Sequence, residues 1–129
     1  MVVTINGKDY KLHFGIGFVR ALDEKYNIQN ASGAKFGLGL STKVPMLIGG
    51  DPVTLSELIY EGMCTEEKRP TQKEVDAYID NTEDMDALFG EVLEELKKQN
   101  ATRKTTLDLI ASMKEEEEKR KAKEEEEKR

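Results

Sequence analysis

Hydrophobic and polar positions alternate at the start of the chain and then switch to helical spacing. Residues 1–15, MVVTINGKDYKLHFG, read as two short strands around Asn6-Gly7. Asn-Gly supplies the positive backbone angles of a tight hairpin turn, and a two-residue loop fixes the register. Ile5 then faces Lys8, Thr4 faces Asp9 and Val3 faces Tyr10. Opposed residues share a face, so Val3, Ile5, Tyr10, Leu12 and Phe14 gather on one side. A two-stranded ribbon is marginal in water by itself, so the helices that follow must cover this face.

The first helix is predicted over residues 16–26, with Phe18, Val19, Leu22 and Tyr26 on one face. Residues 27–33 read as a polar break. The segment Lys35 to Leu40, KFGLGL, alternates glycine with apolar residues and reads as a tight buried loop rather than a strand. Ser41 or Thr42 is the expected cap of a short helix carrying Val44, Leu47 and Ile48, with Pro45 tolerated in its first turn and Gly49-Gly50 ending it. Asp51-Pro52 restarts a helix as N-cap followed by first-position proline, leading to Leu55, Leu58, Ile59 and Met63. Thr71 and Glu74 form a capping box for a helix with Val75, Tyr78 and Ile79. Asn81 or Thr82 is the expected cap of the next helix, placing Glu83 and Asp84 in its first turn, where the dipole favours acids. Its stripe is the cleanest in the chain: Met85, Leu88, Phe89, Val92, Leu93 and Leu96.

Residues 99–104 are polar and mark a boundary between a domain, 1–100, and a C-terminal part, 101–129. That part opens with a small apolar patch, Leu107, Leu109, Ile110 and Met113, and continues as KEEEEKRKAKEEEEKR. Acid-before-base pairs four apart (Glu115–Lys119, Glu116–Arg120, Glu117–Lys121, Glu124–Lys128, Glu125–Arg129) each support an isolated helix by about 0.2–0.5 kcal/mol. A solvated, partly helical rod without a core of its own is expected, fraying toward its end. The fold class is therefore α+β, mainly α: an N-terminal β-hairpin packed on a small bundle of about five helices, followed by a charged helical tail.

Composition narrows the function. The formal net charge is −6, and the pI of about 5.0 argues against nucleic acid, since an acidic chain gains nothing from counterion release. The single cysteine, Cys64, has no internal disulfide partner, which fits a reducing cytoplasm. No stretch has the apolar length to cross a bilayer, and no basic-then-apolar leader opens the chain.

Candidate chemistry is sparse. His13 is the only histidine and falls on the polar face of the hairpin. Cys64 has only Lys68 and Arg69 near it in sequence to activate a thiolate, a weak arrangement beside its reading as a small half-buried residue. Carboxylate pairs such as Asp84 with Asp86, or Glu94 with Glu95, are explained by helix solvation, and no calcium-loop or zinc-ligand spacing is present. Gly15 and Gly17, and Gly37 and Gly39, give GxG fragments that are never completed to a phosphate-binding loop. The chain is expected to bind protein, not to catalyse, and to need no cofactor or metal.

The succession of motifs resembles the tail assembly chaperones of long-tailed phages and prophages of Gram-positive bacteria. The resemblance rests on TINGKDYKLHFGIGFVRALDEKY at the start and GLGL at Gly37 to Leu40. It continues through the proline-containing Val44 to Ile48, the G-D-P-x-x-L start at Gly50 to Leu55 that runs into LIYEG, the capped T-x-x-E-V-x-x-Y-I at Thr71 to Ile79, and the long amphipathic helix. It covers residues 1–100.

The resemblance implies a host-cytoplasm protein, absent from the finished virion, that binds the tape-measure protein, keeps its apolar helices from aggregating and helps recruit tail-tube subunits. Neither a nucleic-acid nor a membrane partner is implied, and self-association is compatible with it. A holdase needs an apolar strip on a soluble acidic body. Leu107, Leu109, Ile110 and Met113 supply the candidate strip, together with any part of the Met85 to Leu96 stripe left uncovered. The competing readings are a structural minor tail or connector protein of the virion, and a small regulatory module that binds a host protein.

Overall fold

In the computed structural model, which describes residues 1–129, β1 (Val2–Ile5) and β2 (Lys8–Lys11) pair antiparallel in the predicted register. Asn6 and Gly7 supply the turn with φ of 52° and 77°. Val3, Ile5, Tyr10, Leu12 and Phe14 are all buried. Leu12 N–H extends the ladder to the Met1 carbonyl, and two hydrogen bonds lock the end of the ribbon onto the helices: His13 N–H to the Gly62 carbonyl and Phe14 N–H to Gln99 Oε1.

Six helices follow the hairpin. They are α1 (Ile16–Lys25), α2 (Gly39–Ile48), α3 (Pro52–Gly62), α4 (Gln72–Asp80), α5 (Met85–Lys98) and α6 (Arg103–Glu127). A single core of 19 buried side chains runs from the hairpin through α1 to α5. The predicted stripes of α3, with Leu55, Leu58, Ile59 and Met63, and of α5, with Leu88, Val92 and Leu96, are buried in it.

The capping box forms as expected: Glu74 N–H donates to Thr71 Oγ1 while Thr71 N–H donates to Glu74 Oε1. Replacing Thr71 with alanine is expected to lower stability by about 0.5–2 kcal/mol, read as a shifted urea midpoint at unchanged slope. Asp51 caps α3 as predicted, accepting from Val53 N–H and Thr54 Oγ1. The Thr54 hydroxyl chiefly holds its carboxyl below the usual range.

Four expectations are corrected. First, KFGLGL is not a loop. Lys35–Gly37 is a strand, β4, paired antiparallel with β3 (Asn27–Gln29) in the stretch read as a polar break. Asn30 builds the connection: its Oδ1 accepts from Ser32 N–H, Ser32 Oγ and Ala34 N–H, and Gly33 takes φ of 86°. Such side-chain turns need no tight Asn-Gly signal.

Second, α2 begins at Gly39 with Leu38 as its N-cap, not at Ser41 or Thr42. A Cβ on Gly39 would lie 2.5 Å from Leu22 Cβ, so the close backbone approach read into this glycine is real, but it serves a helix start. Third, Pro45 therefore lies inside α2 rather than in its first turn. It forfeits one backbone bond, to the Ser41 carbonyl, which sits on an exposed residue that water can reach. Fourth, Asp84, not Asn81 or Thr82, caps α5, accepting from Ala87 N–H at 3.0 Å.

The chain after residue 100 does not stand apart. The first half of α6 lies against α2 and α5, with Thr102 and Thr106 fully buried. From Lys114 onward every residue is exposed, and the helix continues as a solvated rod. Of the expected ion pairs along it, Glu117–Lys121 is formed at 3.5 Å.

Candidate protein-binding site

The four patch residues do not share one surface. Leu107 is 43% exposed. Leu109, two positions on and about 200° around the helix, packs against the core. Ile110 and Met113, half-buried, line a groove with Ile48 from the last turn of α2. Sequence reasoning assigned Ile48 to the inward stripe of α2; it is 39% exposed and forms the opposite wall.

Local structure places this wall. Gly49 and Gly50 stop α2, with Gly50 at φ 85° and Asp51 N–H closing on the Met46 carbonyl at 3.0 Å. The last turn, with Met46 and Ile48 outward, is thereby presented beside α6. The groove holds about 710 Å³ and is rimmed by Lys114, Glu116, Glu117 and Arg120. An apolar floor with charges of both signs on its rim suits another helix better than a small molecule or an ion.

A second apolar feature escaped the sequence reading. Ile28 and Phe36 are directly opposed across β3 and β4 and are 57% and 55% exposed. The ribbon turns Asn27, Lys35 and Gly37 toward α1 and this pair toward solvent. The available signal was Phe36 itself, a large apolar residue between a lysine and a glycine.

Charged side chains set the position of α2. Lys43, 6% exposed, lies 4.4 Å above the Tyr26 ring and 3.6 Å from Glu57 Oε1, while Tyr26 Oη donates to Glu57 Oε2 at 2.9 Å. Glu61 on α3 binds Lys25 at 3.0 Å and Arg69 at 3.7 Å. Burial pulls the Lys43 ammonium down, but contact with Tyr26 and Glu57 outweighs it and the pKa is raised. The Glu61 hydrogen bond, against a smaller burial effect, raises that of Lys25. Burial raises Tyr78, with Glu91 adding to it.

A folded-state pKa above its unfolded value gives stability that is complete below the unfolded value and lost as pH rises through the folded one. The melting temperature is therefore expected to be insensitive to these groups up to about pH 10 and to fall beyond it. The fall should be shallower in Lys43→Met than in the native chain.

His13 is exposed on the polar side of the hairpin, as predicted, and Cys64 is a half-buried free thiol. No cluster of His, Cys, Asp and Glu has the arrangement of a metal site, and no helix is long and apolar enough to cross a membrane. What the fold presents is a small helical body with a groove suited to protein.

A family model described as phage tail assembly chaperone protein, TAC, matches residues 2–110, and the chain belongs to that family. No curated protein and no solved structure matches it. The match includes the start of α6, with Leu107, Leu109 and Ile110, and ends before Met113 and the charged rod.

Proposed function

We propose that this tail assembly chaperone binds the tape-measure protein in the host cytoplasm, keeps it soluble and helps recruit tail-tube subunits, without remaining in the virion and without catalysis. One observation carries the reading: the family match covers the hairpin, α1 to α5 and the groove wall at Ile110, but not the solvated rod. The client first meets the groove of Ile48, Ile110 and Met113. The rod and the net charge of −6 keep a loaded complex soluble. The same apolar surface would serve self-association when no client is present.

Co-expression with the tape-measure protein of the same genome tests this. A soluble complex is expected, with the client insoluble when expressed alone. A client equally soluble and uncomplexed without this chain overturns the reading. Recovery of the chain from purified particles would instead favour the minor tail or connector role.

A further inference from the structure

The groove is the open edge of a larger contact. The two fully buried residues at the start of α6 are both threonines, set over α2 and α5. Thr102 is satisfied, its hydroxyl donating to the Leu96 carbonyl at 2.7 Å. The Thr106 hydroxyl is buried with no hydrogen-bond partner. A hydroxyl in that state works against the docked position, and an aliphatic side chain of similar size would not.

The charges at the ends of α6 also weaken the helix itself. Its first turn has no acid and no side-chain cap, but begins with Arg103 and Lys104, one short turn after Lys97 and Lys98 at the end of α5. Its C-terminal end holds Glu124 to Glu127. Cations at the positive end and anions at the negative end of a helix both disfavour it. The chain just before is firmly held, by Gln99 on Phe14 N–H and by Thr102 on Leu96.

We propose that residues 103–113 are a latch hinged at Thr102, which lifts from the α2/α5 face and is replaced there by an amphipathic helix of the client. The seat already holds a helix, so the occupant is a helix. It carries an aliphatic side chain where Thr106 sits. It also carries acids in its first turn, in place of Arg103 and Lys104, which follow Lys97 and Lys98 closely in the chain. This rests on the chaperone reading for the identity of the client, but the latch belongs to the chain alone.

Hydrogen exchange on the full-length protein without client tests the latch first. Amides 106–113 are expected to exchange at least tenfold faster than those of Val92 to Leu96, through local opening. Thr106→Val should slow them by roughly tenfold, while Thr106→Ser, which keeps the hydroxyl, should not. Amides 106–113 exchanging at the rate of α5, unmoved by Thr106→Val, overturn the latch.

The second arm uses a designed peptide with leucines at i, i+3, i+4 and i+7 and glutamates in its first turn. Its binding should weaken several-fold in Thr106→Val, because the competent open state is depopulated, and again in Lys97→Glu/Lys98→Glu. Equal binding to the native chain and to Thr106→Val overturns displacement. An opening latch that binds the peptide in a chain that fails to capture the tape-measure protein would refute the function and leave the latch standing.

Discussion

Phe14→Ala should cost about 3–5 kcal/mol and lower the melting temperature by roughly 10–25 °C. Phe14 is fully buried and meets Phe18 edge-to-face at a centroid distance of 4.8 Å. Its ring lies on Gly62, where a Cβ would come within 2.7 Å of Phe14 Cε1. Its backbone N–H donates to Gln99 at the end of α5. Truncation therefore opens a cavity where the hairpin, α1 and α3 meet, and the rigid surrounding helices cannot collapse to fill it.

The same geometry predicts coupling. Gly62→Ala alone forces a methyl against the ring and should destabilise by about 1–3 kcal/mol. Phe14→Leu with Gly62→Ala should cost less than the sum of the two, since the smaller side chain makes room for the methyl. Thermal melts of the single and double variants check this. Additive losses would mean that Phe14 and Gly62 do not share one space.

What was legible in the sequence follows from how local each signal is. The Asn6-Gly7 turn fixed its register because only one two-residue loop was available, and the amphipathic stripes of α3 and α5 were long enough to show their period. The second hairpin was hidden because each of its strands is three residues long and its apolar pair faces solvent, inverting the usual pattern. The start of α2 was missed because Gly39 is a poor helix former placed by contact with Leu22, a tertiary reason.

The candidate site divided along the same line. Ile110 and Met113 could be named as apolar residues in a polar neighbourhood, but their partner Ile48 lies far away in the chain, before α3, α4 and α5. Only packing of α6 on α2 joins them. Helical period alone also could not say that Leu109 would turn inward and Leu107 outward, because that depends on which face of α6 meets the body. The family succession was legible because it rests on order along the chain, which needs no packing.

Ile48→Glu with Met113→Glu should abolish most capture of the tape-measure client while leaving the domain nearly intact. Both side chains are partly exposed and border solvent, and substitutions at such positions usually change stability by no more than about 0.5 kcal/mol. A client helix that first engages the closed groove desolvates both, and losing two apolar contacts at that step is worth about 1–3 kcal/mol, roughly 5- to 150-fold in affinity. The introduced carboxylates add to the loss, since they would be carried into an apolar contact beside Glu116 and Glu117.

Leu109→Ser provides the contrast. Its side chain packs against the core, so it should lower the melting temperature as well as weaken capture. Leu107→Ser touches neither the core nor the groove and should leave both close to native. Pull-down from co-expressing cells, paired with thermal melts of each purified variant, separates these outcomes. Capture that survives the double groove variant but falls with Leu107→Ser would move the client to the free face of α6, where the helix carries Arg103, Lys104 and Asp108 and offers Leu107 as an isolated apolar contact.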